Sequence, residues 1–365
     1  MALGIARTFV CRACRTSPAR RRFATAASSA QATPPRGNYV KVVEVGPRDG
    51  LQNEKTSIPL ETKIKLIEKL TGTGLSAIEA GSFVSPKWVP QMSNSSEILE
   101  HILQKKISPP QPVSYSFLAP NIKGFDTAAS VLDKHPGSYA TESDEPQPAT
   151  PALEIAVFAA ATESFSQKNL NCSVAESLTR FHEVISAAKA RDLRVRAYIS
   201  VVLGCPFEGP DVDPHRVASV ATDLLEAGAD EISLGDTTGM GTAPRTKALL
   251  ECMRAAGIRN EDVAMHFHDT YGQALVNTAV ALEHGIRTFD SSVGGLGGCP
   301  YSPGATGNVA TENMVYFLET LGMHTGVDLD AVADIGAWIT GELGKANESS
   351  VGKAVLGARQ RKGNA

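Results

Sequence analysis

Eight short β-branched runs, each followed by a longer stretch of helical periodicity, constrain this chain more than any other feature. The strand-like runs are 40–45 (VKVVEV), 76–80 (SAIEA), 113–118 (VSYSFL), 153–159 (LEIAVFA), 194–202 (RVRAYISVV), 230–234 (DEISL), 262–268 (DVAMHFH) and 287–293 (RTFDSSV). Helical patterns follow at 60–71, 94–106, 121–134, 173–191, 213–228, 244–257, 271–285 and 309–322. Pro59 near one helix start and Gly74, Gly228, Gly257 and Gly285 near helix ends fit the start and stop rules. Eight βα units predict the α/β class and a TIM (β/α)8 barrel over residues 37–325, a fold of roughly 250 residues with both faces of a parallel sheet covered. The competing open doubly wound sheet lacks its mark, because no G-x-G-x-x-G follows the first run.

Three segments fall outside the repeat. Residues 136–151 (PGSYATESDEPQPATP) are Pro-rich and acidic without periodicity, and read as a flexible surface insertion. Residues 326–365 form a C-terminal extension, with one or two helices over 328–355 closing over the barrel and a frayed basic tail from 356. Residues 1–40 hold seven arginines, while the first acid is Glu44. Setting those seven charges aside takes the net charge from −4 to −11, so the body is distinctly acidic. An Arg-rich, Ser-rich, acid-free head over 1–36 has the composition of a mitochondrial presequence, removed between Arg22 and Pro35 to leave a matrix protein. Its arginines interrupt every stretch that could serve as a secretory signal. The alternative is a basic arm for nucleic acid, which the acidic body does not continue. No run approaches the ~18 apolar residues of a membrane span. Neither nucleic acid nor a membrane is therefore an expected partner. Among six cysteines, Cys11 and Cys14 lie in the head. Cys172, Cys205 and Cys252 read as free thiols, whereas Cys299 has an unusual setting.

The polar motifs cluster at the C-terminal ends of the strands, where a barrel keeps its active site. GPRDGLQNE (46–54) follows the first strand, Glu79 ends the second, GDTTGMG (235–241) follows the sixth, and GGLGGCPYSPGATGN (294–308) follows the eighth. His266 and His268 are two apart on a strand and leave one face. Two imidazoles with the Asp49 carboxylate and the Asn308 amide oxygen suit an octahedral Mg2+ or Mn2+, with two positions left for substrate oxygens, better than a closed Zn2+ site. One histidine could instead pack the core, and Asp49 could pair with Arg48. Adjacent residues at a strand end point to opposite sides, which speaks against that pair. Cys299 lies among Gly294, Gly295, Gly297, Gly298, Gly304 and Gly307, the composition of a mobile loop that closes over substrate. A phosphate cradle is the alternative, but no Lys or Ser/Thr stands at P-loop spacing.

Five of these segments resemble the 3-hydroxy-3-methylglutaryl-CoA lyase family of metal-dependent lyase and aldolase barrels: VEVGPRDGLQNEK, IEAGSFVSPKWVPQM, SLGDTTGMGTAP, MHFHDTYGQALVN and SSVGGLGGCPYSPGATGNVATE. The resemblance runs over residues 39–325, and the Cys-bearing segment is its most specific part. It implies retro-Claisen cleavage of 3-hydroxy-3-methylglutaryl-CoA to acetyl-CoA and acetoacetate, a step of leucine catabolism and ketone-body formation. It implies Asp49, His266, His268 and Asn308 as ligands of a divalent cation, and catalytic roles for Arg48, Glu79 and Cys299. Asp49 or His266 would relay the hydroxyl proton. Gln52 and Asp236 match positions that support the substrate, and Lys55 one near the acyl-CoA. Barrels of this kind often form homodimers. The chain departs from the family in the 136–151 insertion and in its last residues, Gly363–Asn364–Ala365, which carry neither a peroxisomal address nor a tail cysteine. A condensing synthase or aldolase on the same barrel, acting on a 2-oxo acid without need of Cys299, and a non-catalytic binding barrel are the other readings.

Overall fold

A computed structural model describes residues 36–363 apart from 105, 108, 145–149 and 299–306. Eight parallel strands close into one barrel in sequence order. They are β1 Lys41–Glu44, β2 Ala77–Ser82, β3 Ser114–Leu118, β4 Ala152–Ala160, β5 Arg194–Ser200, β6 Glu231–Asp236, β7 Val263–Phe267 and β8 Thr288–Ser291. Closure is made by β1 against β8, in register from Lys41 opposite Thr288 to Glu44 opposite Ser291. The eight-unit reading therefore holds, with boundaries within a few residues.

Helices α1 Leu60–Thr71, α2 Ser95–Leu103 and α3 Ile122–Leu132 follow the first three strands. One helix absent from the sequence pattern, α4 Glu163–Leu170, precedes α5 Val174–Lys189. Then come α6 Pro214–Glu226, α7 Ala243–Ala255, α8 Ala274–Glu283 and α9 Thr311–Thr320. Each helix turns an apolar stripe to the sheet. On α1 that stripe includes Leu66, Ile67 and Leu70, all at most 1% exposed, and burial of each such side chain stabilises by roughly 1.5–3 kcal/mol. Side-chain caps set several helix starts: Ser173 and Glu176 form a reciprocal capping box on α5, and Asp213 accepts from the His215 N–H on α6. No described helix is long and apolar enough to cross a membrane.

Strand β5 stops at Ser200, two residues before the sequence pattern does. Val201 has φ +57°, a value a β-branched residue rarely adopts. Its N–H donates to Thr237 Oγ1 at 3.0 Å, and the next N–H, of Val202, donates to the Gly235 carbonyl at 3.0 Å.

The C-terminal extension forms α10 Leu329–Glu342 and α11 Ser350–Gly363, packed on α9 and on the turn Val293–Gly295. Residues 356–363, expected to fray, continue α11. The described part of the 136–151 insertion is fastened down rather than free. The Glu142 N–H donates to the Asp192 carbonyl at 2.8 Å, Ser143 binds the Asp192 carboxylate, and Lys189 Nζ pairs with Glu142 at 2.6 Å. One of the segment's acidic side chains, Glu142, is thus paired at the end of α5, while backbone and hydroxyl donors bind the rest.

The main apolar core lies between strands and helices, and two small apolar clusters stand apart from it, Val43–Val45–Ala77 and Leu118–Ala156–Tyr198. A chain of charges threads the strands as well. Lys41 meets Glu231 at 3.6 Å, Glu231 meets Arg196 at 3.1 Å, and Arg196 meets Asp290 at 2.6 Å. Arg196 is 1% exposed, so the barrel carries a buried column of alternating charges through its strands.

Candidate metal centre and active site

Directly after β1, residues Gly46–Gly50 wind into a single π-helical turn. The Val45 carbonyl accepts the N–H groups of Arg48, Asp49 and Gly50 at 3.2, 2.8 and 3.1 Å. That winding turns two adjacent side chains the same way. Arg48 Nη1 lies 2.6 Å from Asp49 Oδ1, so the pair disfavoured on strand geometry is present. The strand rule fails because the residues are not on a strand.

The same guanidinium donates through Nη2 to Glu79 Oε2 at 2.6 Å. Glu79 sits at a β-bulge in β2, where the register to β3 slips between Glu79 and Gly81, an irregularity that re-aims side chains beside active sites. Tyr198 donates its hydroxyl to Glu79 Oε2 at 3.1 Å, and its ring lies under Arg48 at 5.4 Å from the centroid. Burial alone would lower the Arg48 pKa, but Glu79 and Asp49 raise it, so the group is a fixed cation.

His266 and His268 on and just past β7 face the turn, their ring centroids 5.2 Å apart. One ligand atom from each of Asp49, His266 and His268 lies within 4.8 Å of the others. Burial pushes the Asp49 carboxyl up, yet Arg48, then His266 and His268, bring it down to about 2, so it is an anion. Burial, then His266, brings His268 down to about 3, leaving a neutral imidazole with a free lone pair. Its Nδ1 is buried without a hydrogen-bond partner among the described residues. A triangle of one carboxylate and two imidazoles with an orphaned nitrogen fits a divalent cation.

His266 is oriented from behind. Its Nδ1 lies 3.2 Å from Asp290 Oδ2, and Asp290 is held in turn by Arg196 at 2.6 Å and Ser233 at 2.9 Å. The ionic column thus ends on His266, and its last member, Asp290, stands where an outer carboxylate would orient a metal-ligating imidazole.

Asn308 stands beside Asp49, bridged through its backbone to His268. Its Nδ2 donates to Asp49 Oδ2 at 2.8 Å and to the Leu296 carbonyl at 3.1 Å. To offer an oxygen to a cation, as the sequence suggests, the amide must turn over. Gln52 reaches the same centre, with Nε2 3.5 Å from Asp49 Oδ1, whereas Lys55 on the same loop is exposed. Asp236 braces its own turn: Oδ2 accepts the Gly241 N–H at 2.9 Å, and burial pushes its carboxyl up to about 7.

Cys299 lies outside the described residues. A Cβ on Gly307 would come within 2.6 Å of the Gly297 carbonyl carbon, so the backbone on the two sides of 299–306 meets beside Asn308. Asn53 Nδ2 donates to the Gly298 carbonyl at 2.8 Å, tying the first loop to this one.

Sequence reading missed Tyr198, Arg196 and Asp290. Their signal was the alternation Arg194–Val195–Arg196–Ala197–Tyr198, polar every second residue on a strand buried along its length, and an aspartate inside TFDS.

The model of the HMGL-like family matches residues 39–339. A lyase of Pseudomonas aeruginosa named for 3-hydroxy-3-isohexenylglutaryl-CoA and hydroxymethylglutaryl-CoA is 52% identical over 317 residues, covering 87% of this chain and 97% of its own length. The mitochondrial hydroxymethylglutaryl-CoA lyase of Bos taurus is 48% identical over 315 residues, covering 86% of this chain and 89% of its own. Among solved structures, an HMG-CoA lyase of Acinetobacter baumannii in complex with coenzyme A and 3-methylmalate superposes with a TM-score of 0.76 at 33% identity, over 88% of this chain and 97% of that one.

Proposed function

Because the chain belongs to the HMGL-like family, we propose that it cleaves 3-hydroxy-3-methylglutaryl-CoA to acetyl-CoA and acetoacetate with a divalent cation, Mg2+ or Mn2+. The Asp49–His266–His268 triangle with Arg48 against it carries the reading. Relatives about half identical in sequence bear the lyase name, which favours cleavage over a condensing synthase, an aldolase or a binding barrel.

The bond between the α and β carbons breaks when the tertiary hydroxyl loses its proton and the electrons pass to the thioester side. Asp49, His266, His268 and Asn308 would hold the cation. When bound, the cation supplies Lewis acidity at the substrate carboxylate and hydroxyl oxygens. Arg48 sits as a permanent cation where charge develops on the thioester oxygen. Glu79 orients the guanidinium through its 2.6 Å contact. Asp49 or His266 would relay the hydroxyl proton, since both stand at the metal triangle. Cys299 returns a proton to the enolate carbon of the departing acetyl-CoA, for which a thiol of ordinary pKa ~8.5 is a competent acid. Gln52 and Asp236 support the site, and Lys55 lies towards the acyl-CoA. Purified protein with Mg2+ and substrate releases acetoacetate, and chelator abolishes it; no acetoacetate with metal present would end the proposal.

The composition of residues 1–36 supports removal of a presequence and residence in the mitochondrial matrix, with a catalytic barrel over 37–325 and a helical extension over 326–365. Fused to a fluorescent protein, residues 1–36 take it into mitochondria; a diffuse cytosolic signal contradicts this. A homodimer is proposed on the habit of such barrels, and sedimentation at twice the monomer mass checks it.

A further inference from the structure

The loop from Leu51 to Ile58 touches the site at several points. Gln52 contacts Asp49, Asn53 donates to the Gly298 carbonyl, and Glu54 pairs with Lys345 of the C-terminal extension at 2.6 Å. Lys55 rides on the same loop.

The loop's far side is held by one side chain from a different connection. Gln91 lies in the short turn Pro90–Met92 after β2 and is 6% exposed. All its amide hydrogen bonds go to that loop's backbone. Nε2 donates to the carbonyls of Glu54 at 2.6 Å and Thr56 at 2.7 Å, and Oε1 accepts the Ile58 N–H at 3.3 Å. Gln91 is itself fixed, because Lys63 on α1, 2% exposed, donates through Nζ to the Gln91 carbonyl and at 3.2 Å to Asn94 Oδ1. Two donors and one acceptor on a rigid planar group thus match three backbone groups spread over five residues.

We propose that Gln91 is a positioning residue for acyl-CoA recognition, holding the loop that carries Gln52 and Lys55 in its substrate-binding shape. The inference rests on the acyl-CoA reading above. Its effect falls on binding before the chemical step, because Arg48, Asp49, Glu79 and His266 have anchors of their own besides the single long Gln52 contact. Arg48 and Asp49 sit on a turn closed by the Val45 carbonyl, and Glu79 and His266 sit on strands. A loosened loop weakens ground state and transition state alike, which raises KM and spares kcat.

The test uses the full chain with Mg2+ and two substitutions. Gln91→Met keeps the length and loses all three hydrogen bonds, and Gln91→Glu keeps the acceptor for Ile58 while losing both donors. Kinetics with 3-hydroxy-3-methylglutaryl-CoA and calorimetric titration with coenzyme A are read beside thermal melts. Gln91→Met raises both KM and the coenzyme A dissociation constant about 10-fold and leaves kcat within about 3-fold. Gln91→Glu moves both constants in the same direction, and decides the matter if Gln91→Met does not fold. A folded variant with unchanged KM and unchanged coenzyme A affinity, or with kcat falling alone, overturns the proposal. A wild-type protein that binds coenzyme A yet releases no acetoacetate overturns the activity reading instead, and the titration then still decides Gln91.

Discussion

Arg48 Nη2 lies 2.6 Å from Glu79 Oε2, a contact in which Glu79 is wholly buried and Arg48 is 7% exposed. Removing either partner leaves the other charge stranded out of water. Arg48→Gln therefore acts twice. It lowers kcat by about 10²–10³, the usual effect of losing one group that meets developing charge, and it destabilises the fold by about 3–5 kcal/mol through the unpaired Glu79. Metal content, read by elemental analysis, stays at the wild-type ratio. A variant with normal turnover removes Arg48 from the chemistry.

Asp290 holds His266 from behind while neutralising Arg196. Asp290→Asn keeps the shape but trades one accepting oxygen for an NH2 that cannot accept, so Mn2+ affinity by calorimetry drops about 10–100-fold. If the triangle holds the cation, His268→Ala removes one of its ligands and is expected to abolish Mn2+ binding. Equal Mn2+ affinity in Asp290→Asn and wild type would contradict the outer-shell role.

Cys299→Ala is expected to lower kcat by roughly 10²–10⁴, the range for a lost general acid, while Mn2+ affinity barely moves. The thiol touches no metal in this scheme, so the two measurements separate. Full turnover without the thiol would hand the enolate proton to another group.

Glu44 and Glu312 grip consecutive amides at the root of the glycine-rich segment. Glu44 accepts from the Val293 N–H at 2.9 Å and Glu312 from the Gly294 N–H at 3.0 Å, and neither has a cation partner among the described residues. Burial raises them from 4.5 to about 7 and about 8. A carboxyl whose folded pKa is raised binds more protons folded than unfolded. Its stabilising contribution is present below pH 4.5 and is lost as the pH rises through 7 to 8. The melting temperature should fall between pH 6 and pH 8.5, and Glu312→Gln should lose at least about 2 °C less over that interval. Parallel curves for the two proteins would show that Glu312 stays ionised throughout.

Much of the barrel was legible because its signals are local. Period-two runs and helical stripes name elements wherever they occur, and His266 and His268 share a face by strand geometry alone. The Arg48–Asp49 contact was misread because a π-helical turn looks like any five residues containing Gly and Pro. The column of Arg196, Asp290 and Glu231 stayed hidden because a charge in a strand reads as a solvent-facing position until closure buries it. Gln91 carries no sequence mark at all, since its partners are backbone groups.

The sequence by itself determined the eight-fold alternation, the strand ends where polar residues gather and the residue types able to hold a cation, all properties written within a few neighbouring positions. Tertiary structure alone decided which of them meet. Asp49 comes to His266 and Asn308 only when β1 closes on β8, and Arg48 is paired to Glu79 only because the barrel removes both from water, where an isolated charge would be intolerable.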